Sequence, residues 1–588
     1  MLRDVLRPAD WTRRGVVLAV AVVVGLSVVW LAFQATLAVL ALTKAADQAE
    51  VLRTALVAGD QEAAEQAFDQ LTVFADRAHD NSDGPLWWIA GHVPLVGDEA
   101  QAVTTISSGL SVAVHDALPP LLEVADQLAA DSFTVRNSVI DPALFTSIAP
   151  ALAESDAAYR PVVDDVEALE TSSLFGRLRR PVVAAQEQLL EVGGVLSSAS
   201  RAADVLPEVL GTTGPRTYLV AVQSNAEIRP LGGVPGTWLL VQADNGRISI
   251  LETGSSSDLP QLDTPAAALT PQETGLYGTT VGTDFRNSML NPHFPRAAEL
   301  ASAIFATHRG VQVDGVLAVD PVTLAYLLLG TGPIQASDGS VLTAENTVDR
   351  LLNQAYAEYP DGASQNAFFE STARAVFDVF TAGQGDSSTV IRALAQAARE
   401  RRVLVWLRDP ALEDELGSDV IAGRFDPDEG AVPTVGVFLS DRTEAKLQYY
   451  LSSESSVSAS RCEDDQQKLS VRTQLRSTVP TDPANLPLSV TGVAPYAPKG
   501  TMVLRVRAYA PSGASIDGVE LDGEDVPFET QVDGDRLVAY LELELSPGQE
   551  RDVRVAMTTA PGQTEDGRLV TTPGIRPGKT DVAFRSAC

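Results

Sequence analysis

Apolar positions follow three different periods along this chain. The first is no period at all: from Gly15 an uncharged run (GVVLAVAVVVGLSVVWLAFQATLAVLALT) continues until Lys44. Gly15–Phe33 alone would make a helix about 28 Å long, close to the thickness of a hydrocarbon core. The apolar segment of a cleaved signal peptide is usually about 7–15 residues, so the length predicts a retained single-pass anchor. Arg3, Arg7, Arg13 and Arg14 precede it. Basic residues on that flank predict a cytoplasmic N-terminus and an extracytoplasmic location for the bulk of the chain.

The second period is helical. Between Ala45 and about Leu206, stripes such as Val51, Leu52, Leu56 and Val57, then Ala67, Leu71 and Phe74, recur at the i, i+3, i+4 spacing of amphipathic helices. Breaks are expected at Asp80–Pro85, His92–Asp98, Pro119-Pro120 and around Asp141-Pro142. This predicts a bundle of antiparallel helices on the anchor. Trp87-Trp88 reads as paired aromatics capping a helical hairpin rather than as a ligand platform.

The third period begins at Pro215. Thr217–Gln223 reads as a buried strand, and Thr237–Asp244 and Arg247–Glu252 flank an Asn245-Gly246 hairpin turn. A helix over Arg296–His308, a strand over Val313–Val319 and a helix over Pro321–Leu329 follow. Then come a strand over Pro333–Ser337 and a helix opened by Thr343 as N-cap and running to about Tyr359. Helices over Ala367–Phe380 and Ser388–Glu400 and a strand over Val403–Leu407 complete a mixed α/β region. Beyond the acidic seam Asp426–Gly430, short strands predict a β-sandwich: Thr434–Leu439, Lys446–Leu451, Lys468–Ser477, Thr501–Ala510, Leu537–Leu545 and Glu550–Thr558. The whole reads as a multidomain α+β chain. Its parts are a cytoplasmic N-terminus (1–14), a transmembrane helix (15–43), a helical stalk (44–210), an α/β domain (211–428) and a β-sandwich (429–588).

Composition narrows the function. The formal charge of the 588-residue chain is −34, and no basic patch stands out downstream of residue 20, which argues against nucleic acid as a partner. Two cysteines exclude a four-cysteine zinc site, and five histidines without metal-ligand spacing disfavour a histidine centre. Outside the membrane, Cys462 and Cys588 can pair, although sequence does not set their separation. No G-x-S-x-G elbow is present.

The candidate chemistry lies in Asn225-Ala-Glu227-Ile-Arg229-Pro-Leu-Gly232-Gly233-Val-Pro-Gly236-Thr237. Glu227 and Arg229 stand two apart, so an extended backbone points both to one side. Gly232, Gly233 and Gly236 would let backbone N–H groups approach an anion. An arginine beside such a loop suits pyrophosphate, and Glu227 suits a divalent cation. The competing reading is a tight turn braced by an ion pair. Asp284-Phe-Arg286, with Asn287, Asn291 and His293 nearby, offers a second carboxylate–arginine pair for the same cleft, the competing reading being a loop-capping network. His293 reads as a loop residue, and Asp314 and Asp320 as turn or cap residues.

The strings SNAEIRPLGGVPGTW, DFRNSMLNPHFPRAA, VDGVLAVDPVTLAYLLLGTGPI and LTAENTVDRLL resemble the bacterial family catalogued as domain of unknown function 4012, over about residues 210–380. The same block is distantly similar to the LytR–CpsA–Psr glycopolymer transferases, which move glycans from polyprenyl-pyrophosphate carriers onto peptidoglycan. Their Asp-x-Arg motif would fall on Glu227-Ile-Arg229, and Gly330-Thr-Gly332-Pro333 on their turn. Of their Arg-Ser-Asp-Thr only Thr237 is kept, and their arginine-rich stretch falls near Tyr356–Phe369, which has no arginine. The resemblance implies a cell-envelope protein with that fold, binding or transferring a polyprenyl-phosphate-linked glycan or cell-wall polymer. Glu227, Arg229, Asp284 and Arg286 would act around Mg²⁺ held by Glu227 and Asp284, and Asn225, Gly232, Gly233, Gly236 and Thr237 would contact ligand. The alternative is a non-catalytic envelope scaffold or interaction protein.

Overall fold

Helix α1, Pro8–Ala58, carries the apolar run and the first amphipathic stripe without interruption in a computed structural model. The structure describes residues 8–58, 60–94, 96–123, 138–169, 171, 174–359, 361–417, 419–428 and 430–588. Arg3 and Arg7 of the basic flank, and Glu429 of the acidic seam, lie outside the described residues. Among the described helices one, α1, is long and apolar enough to cross a membrane. Two compact units are present: one holds the N-terminal helices and Ala143–Asp204, the other a short segment ending at Pro142 and Val205–Cys588.

In the first unit α2 (Gln61–Asp80) begins at Asp60, whose carboxylate accepts the Ala63 N–H at 3.1 Å and satisfies an otherwise free donor. Ala45, Leu52 and Ala55 of α1 share a cluster with Ala64, Ala67, Leu71 and Ala75 of α2. Leu52 is buried while Val51 beside it is exposed, so the stripe is narrower than its apolar content predicts. Then come α3 (Pro85–Ala90), α4 (Gly97–Val112), α5 (Pro142–Glu167) and α6 (Gly176–Val209). The expected break at Pro119-Pro120 does not occur. A π-helical turn, Ala113–Ala117, widens the helix just before Leu118–Glu123, which continues through both prolines. The two tryptophans part company: Trp87 is 6% exposed in the hairpin core, and Trp88 is 68% exposed.

The second unit is organised by a five-stranded sheet. Its strands are β1 (Arg216–Ser224), β2 (Val234–Asp244), β3 (Arg247–Ser255), β4 (Gly315–Val319) and β5 (Leu404–Leu407), in the order β3-β2-β1-β4-β5. Only β1 and β4 are parallel. Alternation along the strands splits the side chains between two faces. Leu219, Ala221, Trp238, Leu240, Val316 and Ala318 pack with Ala297, Ala301, Ile304 and Phe305 of α7 (Phe294–Arg309). The intervening residues face α8 (Pro321–Thr331), α9 (Gly362–Thr381) and α10 (Ser387–Arg399). The helix expected from Thr343 opens instead after Asn346, whose Oδ1 accepts the Thr343 N–H at 2.8 Å. It continues through a π-helical stretch, Arg350–Gln354.

The β-rich C-terminal region holds a five-stranded and a six-stranded sheet. Val471, Leu475 and Val555 of one share a cluster with Val437, Val506 and Leu541 of the other. The strand expected at Lys446–Leu451 is a 3-10 turn, Leu447–Tyr450, feeding a long strand at Leu451–Glu463. The acidic seam is pinned rather than free: buried Arg536 donates to the Asp426 carbonyl at 2.7 Å and to Asp428 at 2.6 Å. Cys462 and Cys588 are disulfide-bonded, tying the C-terminal residue to the five-stranded sheet's edge strand.

Candidate functional site

The segment after β1 faces two environments. Ala226 and Ile228 enter the apolar cluster of the C-terminal region, and the Ile228 carbonyl accepts the Asp441 N–H at 3.0 Å. Glu227 and Arg229, the alternate residues, turn the other way together, as the two-residue spacing predicts. Arg229 Nη2 donates to Glu227 Oε1 at 3.1 Å, and Lys446 Nζ donates to Glu227 Oε2. Arg229 Nη1 donates to its neighbour Ile228's carbonyl at 2.9 Å. Burial alone would push the Glu227 carboxyl up, but Lys446 and Arg229 outweigh it and hold the group below its ordinary value.

Asp284 and Arg286 join this cluster through Asn287. Arg286 donates to Asp284 from its backbone N–H, Nε and Nη2 at 3.0, 3.2 and 2.9 Å. Asn287 Nδ2 donates to Asp284 at 3.1 Å, and its Oδ1 lies 3.5 Å from Arg229 Nη2. The four expected catalytic residues therefore converge, but on one another. Both oxygens of Glu227 and both of Asp284 already accept from cationic groups, so the pair is not arranged to hold Mg²⁺. Among the described residues no group of three or more His, Cys, Asp or Glu side chains is placed to hold a metal ion.

The glycines serve different ends. Gly232 has φ +124°, and its N–H donates to the Arg229 carbonyl at 2.8 Å. At Gly233 a Cβ would lie 2.1 Å from the Ser224 carbonyl oxygen, so a close backbone crossing requires glycine. Neither forms an open anion cradle, because the loop folds back on its own strand. His293 Nδ1 accepts the Phe425 N–H at 3.1 Å, and Asp320 caps α8 through Thr323 N at 2.8 Å.

Gly236 and Thr237 belong to something else. They line a cavity of ≈ 400 Å³ between the sheet and the helices. Its walls are Val220 and Val222 of β1, Leu239 and Val241 of β2, Leu317 and Val319 of β4, and Ala373, Val376 and Phe377 of α9. One end is polar: Gln223, Ser224 and Tyr356 line it, with Ser224 Oγ 3.3 Å from the Tyr356 hydroxyl. Lys446 stands over the Tyr356 ring, 5.8 Å from its centroid, so the charged cluster backs this end. Gln223 Nε2 and Thr372 Oγ1, both at this cavity, are buried without a hydrogen-bond partner among the described residues. Asn225 does not line it; its Nδ2 donates to Asp320 at 3.1 Å.

Sequence reasoning passed over Gln223, Tyr356, Asp441 and Lys446. The first was legible as the polar end of an apolar strand. The last two come from a segment more than two hundred residues away and carried no local signal. Arg402 is also in this group: fully buried, it donates to Asp320 at 2.7 Å and to Glu400 at 2.6 Å. No curated protein matches the chain. Residues 213–356, which supply β1 to β4 and the polar end of the cavity, match the family model described as protein of unknown function (DUF4012).

Proposed function

We propose that this is a membrane-anchored envelope protein that binds a long-chain lipid, the chain of a polyprenyl-phosphate-linked glycan, in the cavity beneath the five-stranded sheet. The cavity carries the reading. Its volume of ≈ 400 Å³ falls within the roughly 300–1,000 Å³ of ligand pockets. Protein interiors are otherwise close-packed, so an apolar space of this size is an exception that an apolar chain would fill. The unpartnered Gln223 Nε2 offers a donor to a head group at the polar end.

Binding without transfer is the form the charges favour. Both oxygens of Glu227 and of Asp284 accept from Arg229, Lys446 or Arg286, leaving no free carboxylate to activate an acceptor. Mg²⁺ has no part in this reading. The LytR–CpsA–Psr similarity bears on the class of ligand and on the scaffold, not on the reaction.

Filling the cavity is the test. Ala373→Phe and Val376→Phe place aromatic rings in the space while leaving the charged cluster untouched. The full chain in detergent, titrated with a polyprenyl phosphate and read by native mass spectrometry, should bind one equivalent. The double variant should bind at least about tenfold more weakly, with its thermal midpoint preserved. Equal binding by a folded double variant would remove the cavity from the function.

A further inference from the structure

The first helical unit has an apolar end, and its position along α1 says what it meets. Side chains of α1 from Val22 to Trp30 are largely bare, whereas Leu31, Ala35 and Ala38 are covered by Trp87, Ala90, Ala100 and Val103 of the α3–α4 hairpin. The antiparallel register fixes the direction. Ala64 to Ala75 of α2 descend alongside Ala55 to Ala45 of α1, so the chain reaches α3 at the level where the bare part of α1 begins. The α3 turn is the tip of that hairpin. Trp88, Ile89, Val93 and Val96 are exposed there, while Trp87 is buried.

A second loop arrives at the same end. The Phe175 N–H donates to Glu99 in the first turn of α4 at 3.0 Å, which places the α5–α6 connection beside the tip. Phe175 is 59% exposed, and Arg179 and Arg180 follow it, exposed, in the first turns of α6. In a chain of formal charge −34 this short basic string is out of character. Trp30 and Phe33, also exposed and with ring centroids 5.8 Å apart, lie just below on α1. Tryptophan prefers the headgroup level of a bilayer, and arginine prefers anionic headgroups above it.

We infer that the α3 tip and the Phe175–Arg180 turn form a second membrane contact, seated in the interface of the leaflet from which α1 emerges. This rests on α1 spanning the bilayer, as the proposed function also assumes. With α1 alone the helical unit could swivel on one stalk; a second contact fixes its tilt against the bilayer. The occupant is lipid because the tip continues directly from the bare segment of α1, and because aromatic and basic residues sit at matching levels.

The full chain in nanodiscs containing a phospholipid with a carbene-forming diazirine near the headgroup tests this. Adducts mapped by mass spectrometry are expected on 22–33, on 85–96 and on 174–180. Trp88→Ser with Ile89→Ser, both exposed and so harmless to folding, should reduce adducts on 85–96 about threefold or more while those on 22–33 stay unchanged. Adding phosphatidylglycerol to phosphatidylcholine discs should raise labelling of 174–180 about twofold or more. Adducts on α1 alone overturn the seat but leave the span intact. Adducts on neither overturn both. Labelling of α1 alone in discs holding two copies would give the tip to a second copy of this chain. Labelling of 174–180 that ignores anionic lipid would remove the arginines from the seat.

Discussion

Gln223 to Thr237 is one short segment that borders two different environments, and their contrast decides how the charged residues should be read. On one face Glu227 and Arg229 join Asp284, Arg286, Asn287 and Lys446, and every carboxylate oxygen of the two glutamate and aspartate groups has a donor. On the other, Gln223, Gly236 and Thr237 border a cavity where two buried polar atoms have no partner among the described residues. Paired carboxylates hold a junction together, although Arg229 Nε is left without a partner among the described residues; the proposed function rests on the polar groups at the cavity. Motif logic points to the first face because it carries the recognisable residues. The apolar volume of ≈ 400 Å³, with Gln223 Nε2 and Thr372 Oγ1 beside it, points to the second.

The largest break in that comparison would come from Arg229→Ala. The substitution leaves Glu227 buried with Lys446 as its remaining close cation and frees the Asn287 contact. Removing one partner of a buried pair costs about 3–5 kcal/mol, so the denaturation midpoint should fall sharply while lipid uptake by the surviving folded protein is retained. An unchanged midpoint with lost uptake would reverse the roles of the two faces.

Much of the fold was legible, and the misses have physical causes. β1, β2 and β3 announce themselves by apolar runs around Asn245-Gly246, whose positive φ angles of 46° and 81° are what a tight hairpin needs. The strand Leu451–Glu463 was missed because Ser-Ser-Glu-Ser-Ser-Val-Ser-Ala-Ser lacks the usual apolar alternation. It lies at a sheet edge with most side chains exposed, so little burial selects its composition. Pro119-Pro120 misled because the preceding π turn accommodates them. The site was legible only as a list of residues. That Glu227 and Arg229 share a side follows from spacing, but Lys446 and Asp441, which turn the pair into a closed cluster, arrive from the C-terminal region.

A smaller effect separates two glycines that sequence treats alike. Gly233→Ala would drive a methyl into the Ser224 carbonyl, where a Cβ has 2.1 Å of room. Such overpacking costs about 1–3 kcal/mol. Gly236→Ala meets nothing within 4 Å and lies on the cavity wall, so stability should stay within about 0.5 kcal/mol. Differential scanning of the two variants checks the pair. Equal losses would show that the loop behaves as one unit rather than as a junction joined to a ligand wall.

The smallest effect is on pH dependence, and its sign differs between neighbours. Glu227 has a folded pKa held below its ordinary 4.5, so its stabilisation is complete above that value and is lost as pH falls through the lower folded value. Asp441 is pushed up chiefly by burial, with Glu227 adding to it. Its charged form is therefore penalised in the folded state, and the penalty is relieved as pH falls through the raised value. Glu227→Gln should then flatten the loss of stability below about pH 4.5, and Asp441→Asn should steepen it, each moving the acid midpoint by some tenths of a pH unit. Melts between neutral and acid pH on the two variants read both slopes. The cavity walls are mainly aliphatic and aromatic side chains, so under the proposed function uptake of an uncharged polyprenol by the folded protein should not follow either slope. Uptake that tracked the Glu227 titration would join the two faces into a single site.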